Sequence, residues 1–94
     1  MLHKPPFIAH WKDIEEATAG HYPDSAELMS FDAPFARVFG LQRIGIHHER
    51  LPPGRRTCYP HAEKTEEEFV YVLEGTPDAW IDGHLHRLTE GEGM

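Results

Sequence analysis

The sequence predicts an all-β domain of the sandwich, barrel or jelly-roll kind, and three observations predict it. From residue 36 onward, short apolar stretches recur between tight breakers. Pro52-Pro53-Gly54 and Asp82-Gly83 supply the turn chemistry that short strands need. The run Glu68–Glu74 is built of β-branched and aromatic residues in alternation, with no helical period. Ahead of these strands, residues 1–35 read as an irregular arm, and residues 36–94 as the β domain itself.

Within the arm, residues 12–19 suit a short helix, with Asp13 near its start and Gly20 just past its end. Pro23, Asp24 and Ser25 carry turn chemistry, as do Asp32 and Pro34. Ala36–Phe39 and Leu41–Leu51 are expected as strands parted near Gly40. In the second, Ile44, Ile46 and His48 share a face, because alternate strand side chains point the same way. Pro52-Pro53-Gly54 breaks that run, since proline cannot donate to a ladder. A strand over Arg55–Glu63, a polar turn at 64–67 and the strand Glu68–Glu74 follow, and Gly75 ends the last of these. Asp78–Ile81 and His84–Leu88 flank the Asp82-Gly83 hairpin turn, and Glu90–Gly93 turns again.

Composition narrows the function classes. Nine Lys and Arg against sixteen Asp and Glu give a formal charge of -7. That balance argues against a nucleic-acid surface, which needs clustered cations. No apolar run approaches the length of a membrane span. The start, MLHKPPFIAHWK, lacks the apolar stretch of a signal peptide. The single cysteine, Cys58, has no partner for an internal disulfide, which favours a reducing cytoplasm. Eight histidines in 94 residues are the unusual entry in the composition.

The chemistry concentrates between Gly54 and Gly75. His61 and Glu63 are two apart, so on a strand both leave the same face. Glu68 opens the next strand after a four-residue turn, which brings it back beside that pair. One imidazole and two carboxylates converging from adjacent strands make a candidate site for a divalent ion: Mn, Fe, Ni, Zn or Cu. The carboxylates tilt the choice toward harder ions such as Mn or Fe(II). The bland alternative is three polar residues at a barrel mouth. Glu66 and Glu67 belong to an acidic, solvated turn.

This stretch resembles the first motif of the cupin superfamily, in which a glycine, five residues, His-x-His, three or four residues, Glu, six residues and a glycine follow one another. His61 takes the first histidine's place, Glu68 the glutamate's and Gly75 the closing glycine's. LPPG, EEEFVYVLEG and WIDG also look like small stand-alone bacterial cupins, and the resemblance covers residues 42–93. Six residues rather than five separate Gly54 from His61, a difference that a bulge near Pro60 would absorb. Glu63 stands where the second histidine usually sits, so the site keeps a ligand with altered preference or has stopped binding metal. The family's second motif would supply a further histidine after Pro-x-Gly. Leu88–Gly93 looks like the approach to it, with Gly91 in its first position, which leads us to expect a cupin-type double-stranded β-helix incomplete at its C-terminus and a fragment of a longer protein.

The resemblance implies a metal-binding domain from an enzyme acting on a small polar metabolite, in the manner of sugar-phosphate isomerases or dioxygenases. Its rivals are a non-catalytic cupin that senses or stores a small molecule, and an inactive truncated product. Cupins are commonly dimers, and a homodimer is expected here. Phe69, Tyr71 and Leu73 lie on the strand face opposite Glu68, Val70, Val72 and Glu74, which implies that a second sheet, the arm or another subunit covers them. Tyr59 shares the face of His61 and Glu63 and is a candidate pocket residue; His48 is expected as a pocket wall. Cys58 has the opposite parity. His84 and His86, two apart beyond the hairpin turn, could chelate an ion but read chiefly as outer hairpin residues.

Overall fold

The computed structural model describes residues 4–57 and 66–94. The chain forms two compact units, Met1–Tyr59 and Pro60–Met94. Elements run in the order α1 (Trp11–Ile14), β1 (Phe31–Ala33), α2 (Phe35–Phe39), β2 (His48–Arg50), β3 (Asp78–Ile81) and β4 (His84–Arg87).

In the first unit the arm is folded onto the strand that follows it. Helix α1 is shorter than its sequence suggests: His10 caps it by accepting the Lys12 N–H at 3.1 Å, and Glu15 is already extended. From there the chain runs beside β1, with the Glu16 N–H on the Asp32 carbonyl at 2.9 Å and the Gly20 N–H on Ser30 at 3.1 Å. The loop between them closes where the Ser25 N–H meets the Tyr22 carbonyl at 3.0 Å, the turn that Pro23 and Asp24 announce. Strand β1 pairs antiparallel with β2, placing Phe31, Asp32 and Ala33 opposite Arg50, Glu49 and His48.

Two expected strands are corrected here. Residues 36–39 are helical, as part of α2. Pro34 precedes the helix, Phe35 and Phe39 meet one turn apart with ring centroids at 6.0 Å, and Gly40 ends it at φ +70. The Gly40 N–H bonds to Arg37 at 3.2 Å and the Leu41 N–H to Ala36 at 2.8 Å, the paired bonds of a Schellman stop. Residues 41–47 are not strand either, and only His48–Arg50 of the long run pairs. The Ala36 N–H, left over at the helix start, takes the Ile46 carbonyl at 3.2 Å, which holds that connection against α2.

Ala19, Met29, Ala33 and Ala36 make up the buried apolar core of this unit, so small side chains dominate it. Aromatic and ionic contacts add to it. The Arg50 guanidinium lies 4.3 Å from the centre of the Phe31 ring, and it forks onto Glu15 at 2.8 and 3.1 Å. Arg56 forks in the same way onto Glu27 at 2.8 and 2.9 Å. In both pairs the guanidinium hydrogen bonds hold the carboxyl below its ordinary range. Arg37 pairs with Glu16.

The second unit is a hairpin beside a shorter pairing. Strands β3 and β4 are in antiparallel register from Asp78↔Arg87 to Ile81↔His84. Asp82 at φ +50 and Gly83 at φ +77 form the tight turn, both left-handed as a type I′ turn requires. Residues 70–72 pair with 92–94 through a bridge at Tyr71↔Gly93. Val70 and Met94 exchange both backbone bonds, at 3.1 and 3.0 Å. At Val72 the ladder bulges: its N–H goes to Glu92 at 2.9 Å while its carbonyl accepts from Gly91 at 2.8 Å. Gly91, at φ +87, is the extra residue, the position where a bulge of this kind demands glycine. Val72 and Ala79 are buried.

Among the described residues, then, the sheets are two-stranded and no closed barrel forms. The expected Glu68–Glu74 strand is reduced to the paired stretch around Tyr71, and 55–57, the described part of the expected Arg55–Glu63 strand, is not strand. Among the described residues, Phe69, Tyr71 and Leu73 stand 73%, 55% and 69% exposed.

Candidate functional site

Three of the expected site residues, Tyr59, His61 and Glu63, lie outside the described residues, as does Cys58. The glycines that bound the motif are both described. Gly54 sits at φ +82 in the turn closed by the Arg55 N–H on the Pro52 carbonyl at 3.2 Å, with Pro53 and Gly54 at the corner. Gly75 sits at φ +89, and its N–H donates to Glu90 Oε1 at 3.1 Å. An L side chain at either position would be strained, so glycine is needed for the backbone itself. Glu68 is exposed at the head of the segment that pairs with 92–94. Among the described residues, no group of three or more His, Cys, Asp and Glu side chains is arranged to hold a metal ion.

His48 takes a different place from the expected pocket wall. It is half-buried beneath Trp11, the two rings stacked with centroids 4.2 Å apart and planes 14° from parallel. Its Nδ1 is buried without a hydrogen-bond partner among the described residues. The reason is parity. Phe31, Ala33, His48 and Arg50 share the face of the β1–β2 pair against which α1 packs, so the adjacent His47 looks the other way.

That other face borders an open cleft of about 330 Å³. Asp32 and Glu49 line it from the strands, Ser30 and His47 from the residues just before each strand, and His21, Tyr22 and Met29 from the arm. Asp32 and Glu49 sit directly opposite each other in the register. Two neighbours offset this like-charge pairing. His47 Nδ1 lies 2.8 Å from Asp32 Oδ1, and the buried Ser30 hydroxyl donates to Glu49 at 3.3 Å. The contact with Asp32 orients the imidazole at the cleft. Sequence reasoning passes over this cleft, because the arm builds half of it. The His47-x-Glu49 alternation, together with an acid in the arm, is the one signal that points to it.

No helix among the described residues is long and apolar enough to cross a membrane. Comparison with known proteins bears on residues 47–94, which match a family model described as the cupin domain. No curated protein and no solved structure gives a significant match. The matched stretch takes in β2, the Gly54 turn, the whole His61–Gly75 motif, the β3–β4 hairpin and the Gly91 bulge.

Proposed function

The chain belongs to the cupin domain family, and from that premise we propose that it holds a divalent metal ion through His61 and Glu68, with Glu63 as the third donor, and receives a small polar metabolite there. The observation that carries this reading is the motif itself: all three donors fall inside the matched residues, between two glycines whose left-handed backbones the turns require. One imidazole and two carboxylates fit a hard or borderline divalent ion, with Mn and Fe(II) ahead of Ni and Zn.

Held by His61, Glu68 and Glu63, such an ion would supply the Lewis-acid or dioxygen chemistry of isomerase-like and dioxygenase-like members. The chain's own contribution would be to hold His61 and Glu63 on one side of residues 64–67 and Glu68 on the other. Glu63, where it does not ligate, has the chemistry of a general base. Tyr59, two residues before His61, is proposed as a contact for the metabolite. In this reading the cupin portion contributes strands to a jelly roll, works in the cytoplasm, and pairs with a second copy. The exposed row Phe69, Tyr71 and Leu73 supports the pairing, because burying such side chains stabilises by about 1.5–3 kcal/mol each.

Equilibrium dialysis with Mn(II) or Fe(II) at neutral pH, followed by metal analysis, tests the proposal. About one ion per chain is expected from a single site, lost in His61→Ala and in Glu68→Gln. Absence of a bound ion in the unsubstituted protein overturns it. The second reading, a binding module without catalysis, is favoured by Glu63 in the place of a histidine. Turnover of an isomerase or dioxygenase substrate that disappears in His61→Ala rejects that reading.

A further inference from the structure

We propose that His84 and His86 form a two-imidazole site for a first-row transition metal ion, Cu(II) foremost, separate from the donors of the cupin motif. The two residues are two apart on β4, so their side chains leave the same face of the hairpin. Both are exposed, and their rings stand edge to face with centroids 6.5 Å apart. The residues opposite them, Ile81 and Ala79, carry no polar side-chain atom to occupy the rings. Neither ring has a hydrogen-bond or ion-pair partner among the described residues, so its nitrogens are uncommitted.

The platform beneath them is braced at both ends. The type I′ turn at Asp82-Gly83 closes one end, and the fork of Arg87 onto Asp78 at 2.9 and 3.3 Å closes the other. Beyond that fork, the Leu88 N–H still reaches the Pro77 carbonyl at 2.8 Å. Backbone separation of the two histidines is therefore set by the strand rather than by a loop.

Distance decides whether one ion can span them. With metal–nitrogen bonds of about 2.0–2.1 Å, each ring centre stands roughly 3.2 Å from a bound ion, so two rings chelating at a ligand angle of about 90–110° stand roughly 4.5–5.2 Å apart. The observed 6.5 Å is wider than that span. Rotation of both exposed side chains closes it, and exposed side chains make such rotations in picoseconds to nanoseconds. Paired imidazoles select Cu(II), Ni(II) and Zn(II) over the harder ions, with Cu(II) bound most tightly. That preference is the reverse of the carboxylate-rich motif site, so the two sites are separable by ion.

The test uses the full chain and its histidine ring proton signals. Zn(II), added alone as a diamagnetic probe, is expected to shift the His84 and His86 signals together, and Cu(II) to broaden the same pair. His84→Asn and His86→Asn are each expected to weaken binding at least about tenfold, since a single imidazole cannot chelate. Because both positions are exposed, thermal melts should show the variants folded. His61→Ala should leave this site intact while abolishing Mn(II) binding, so failure of either site is read without the other. Single variants that bind as tightly as the unsubstituted chain, or Zn(II) binding lost in His61→Ala alone, would overturn the assignment.

Discussion

The indole of Trp11 lies flat on the imidazole of His48, 4.2 Å between centroids, and ties α1 to the strand where the family match begins. The core of the first unit is built mainly of alanines, so the stack adds aromatic contact that the core itself lacks. Trp11→Ala is expected to lower the stability of that unit by about 1–2 kcal/mol, from lost burial plus the ring pair. Urea denaturation measures it. A double-mutant cycle with His48→Ala should return a coupling near 1 kcal/mol, because the two rings touch.

At the open end of the second unit's hairpin, Arg87 forks onto Asp78 and holds its carboxyl below the ordinary value of 3.8. The folded pKa is thus depressed. The pair's stabilisation is complete above that value and is lost as pH falls through the lower folded one. Acid titration of the hairpin, followed through the amide signals of residues 78–87, should show this loss. Asp78→Asn should remove that part of the pH dependence and leave the turn at Asp82-Gly83 in place.

Two neighbouring glycines make opposite demands. A Cβ on Gly91 would meet only the Tyr71 hydroxyl, at 3.8 Å, but the backbone there is at φ +87. Gly91→Ala is therefore expected to cost about 1–2 kcal/mol through backbone strain alone. A Cβ on Gly93 would fall 2.6 Å from Phe69 Cζ and 3.1 Å from the Val70 carbonyl oxygen, on ordinary backbone. Gly93→Ala is expected to cost about 1 kcal/mol through crowding. Adding Phe69→Ala should recover part of the Gly93 loss and none of the Gly91 loss. Thermal melts of the four variants decide it.

If His61 and Glu68 ligate a metal, the ion must stabilise the folded chain. At a hundredfold excess over its dissociation constant, Mn(II) should add about 2.7 kcal/mol to unfolding. Denaturation with and without Mn(II) measures this. The increment should vanish in Glu68→Gln.

What was legible in the sequence was what neighbouring residues decide among themselves. Asp82-Gly83 specifies its hairpin because only a type I′ corner suits it between two β-prone runs, and the register Asp78↔Arg87 to Ile81↔His84 follows. The corners at Pro23 and at Pro53-Gly54 were legible for the same reason. Ala36–Phe39 was misread because four residues, three of them apolar, carry no periodicity that separates strand from helix. Pro34 before it and Gly40 after it were the better evidence. As for the site, His61, Glu63 and Glu68 stand out by spacing. The cleft around Asp32, His47 and Glu49 does not, since those residues come from distant stretches.

The sequence by itself determined the family and the tight turns, which depend on residue type within a few positions. Tertiary structure alone decided that the arm supplies β1, that His48 turns under Trp11 while His47 faces the cleft, and that Phe69, Tyr71 and Leu73 stand exposed. The physical reason is that strand pairing and burial join residues far apart in the chain. Their outcome rests on which partner surface is present to pack against, and no local pattern encodes that.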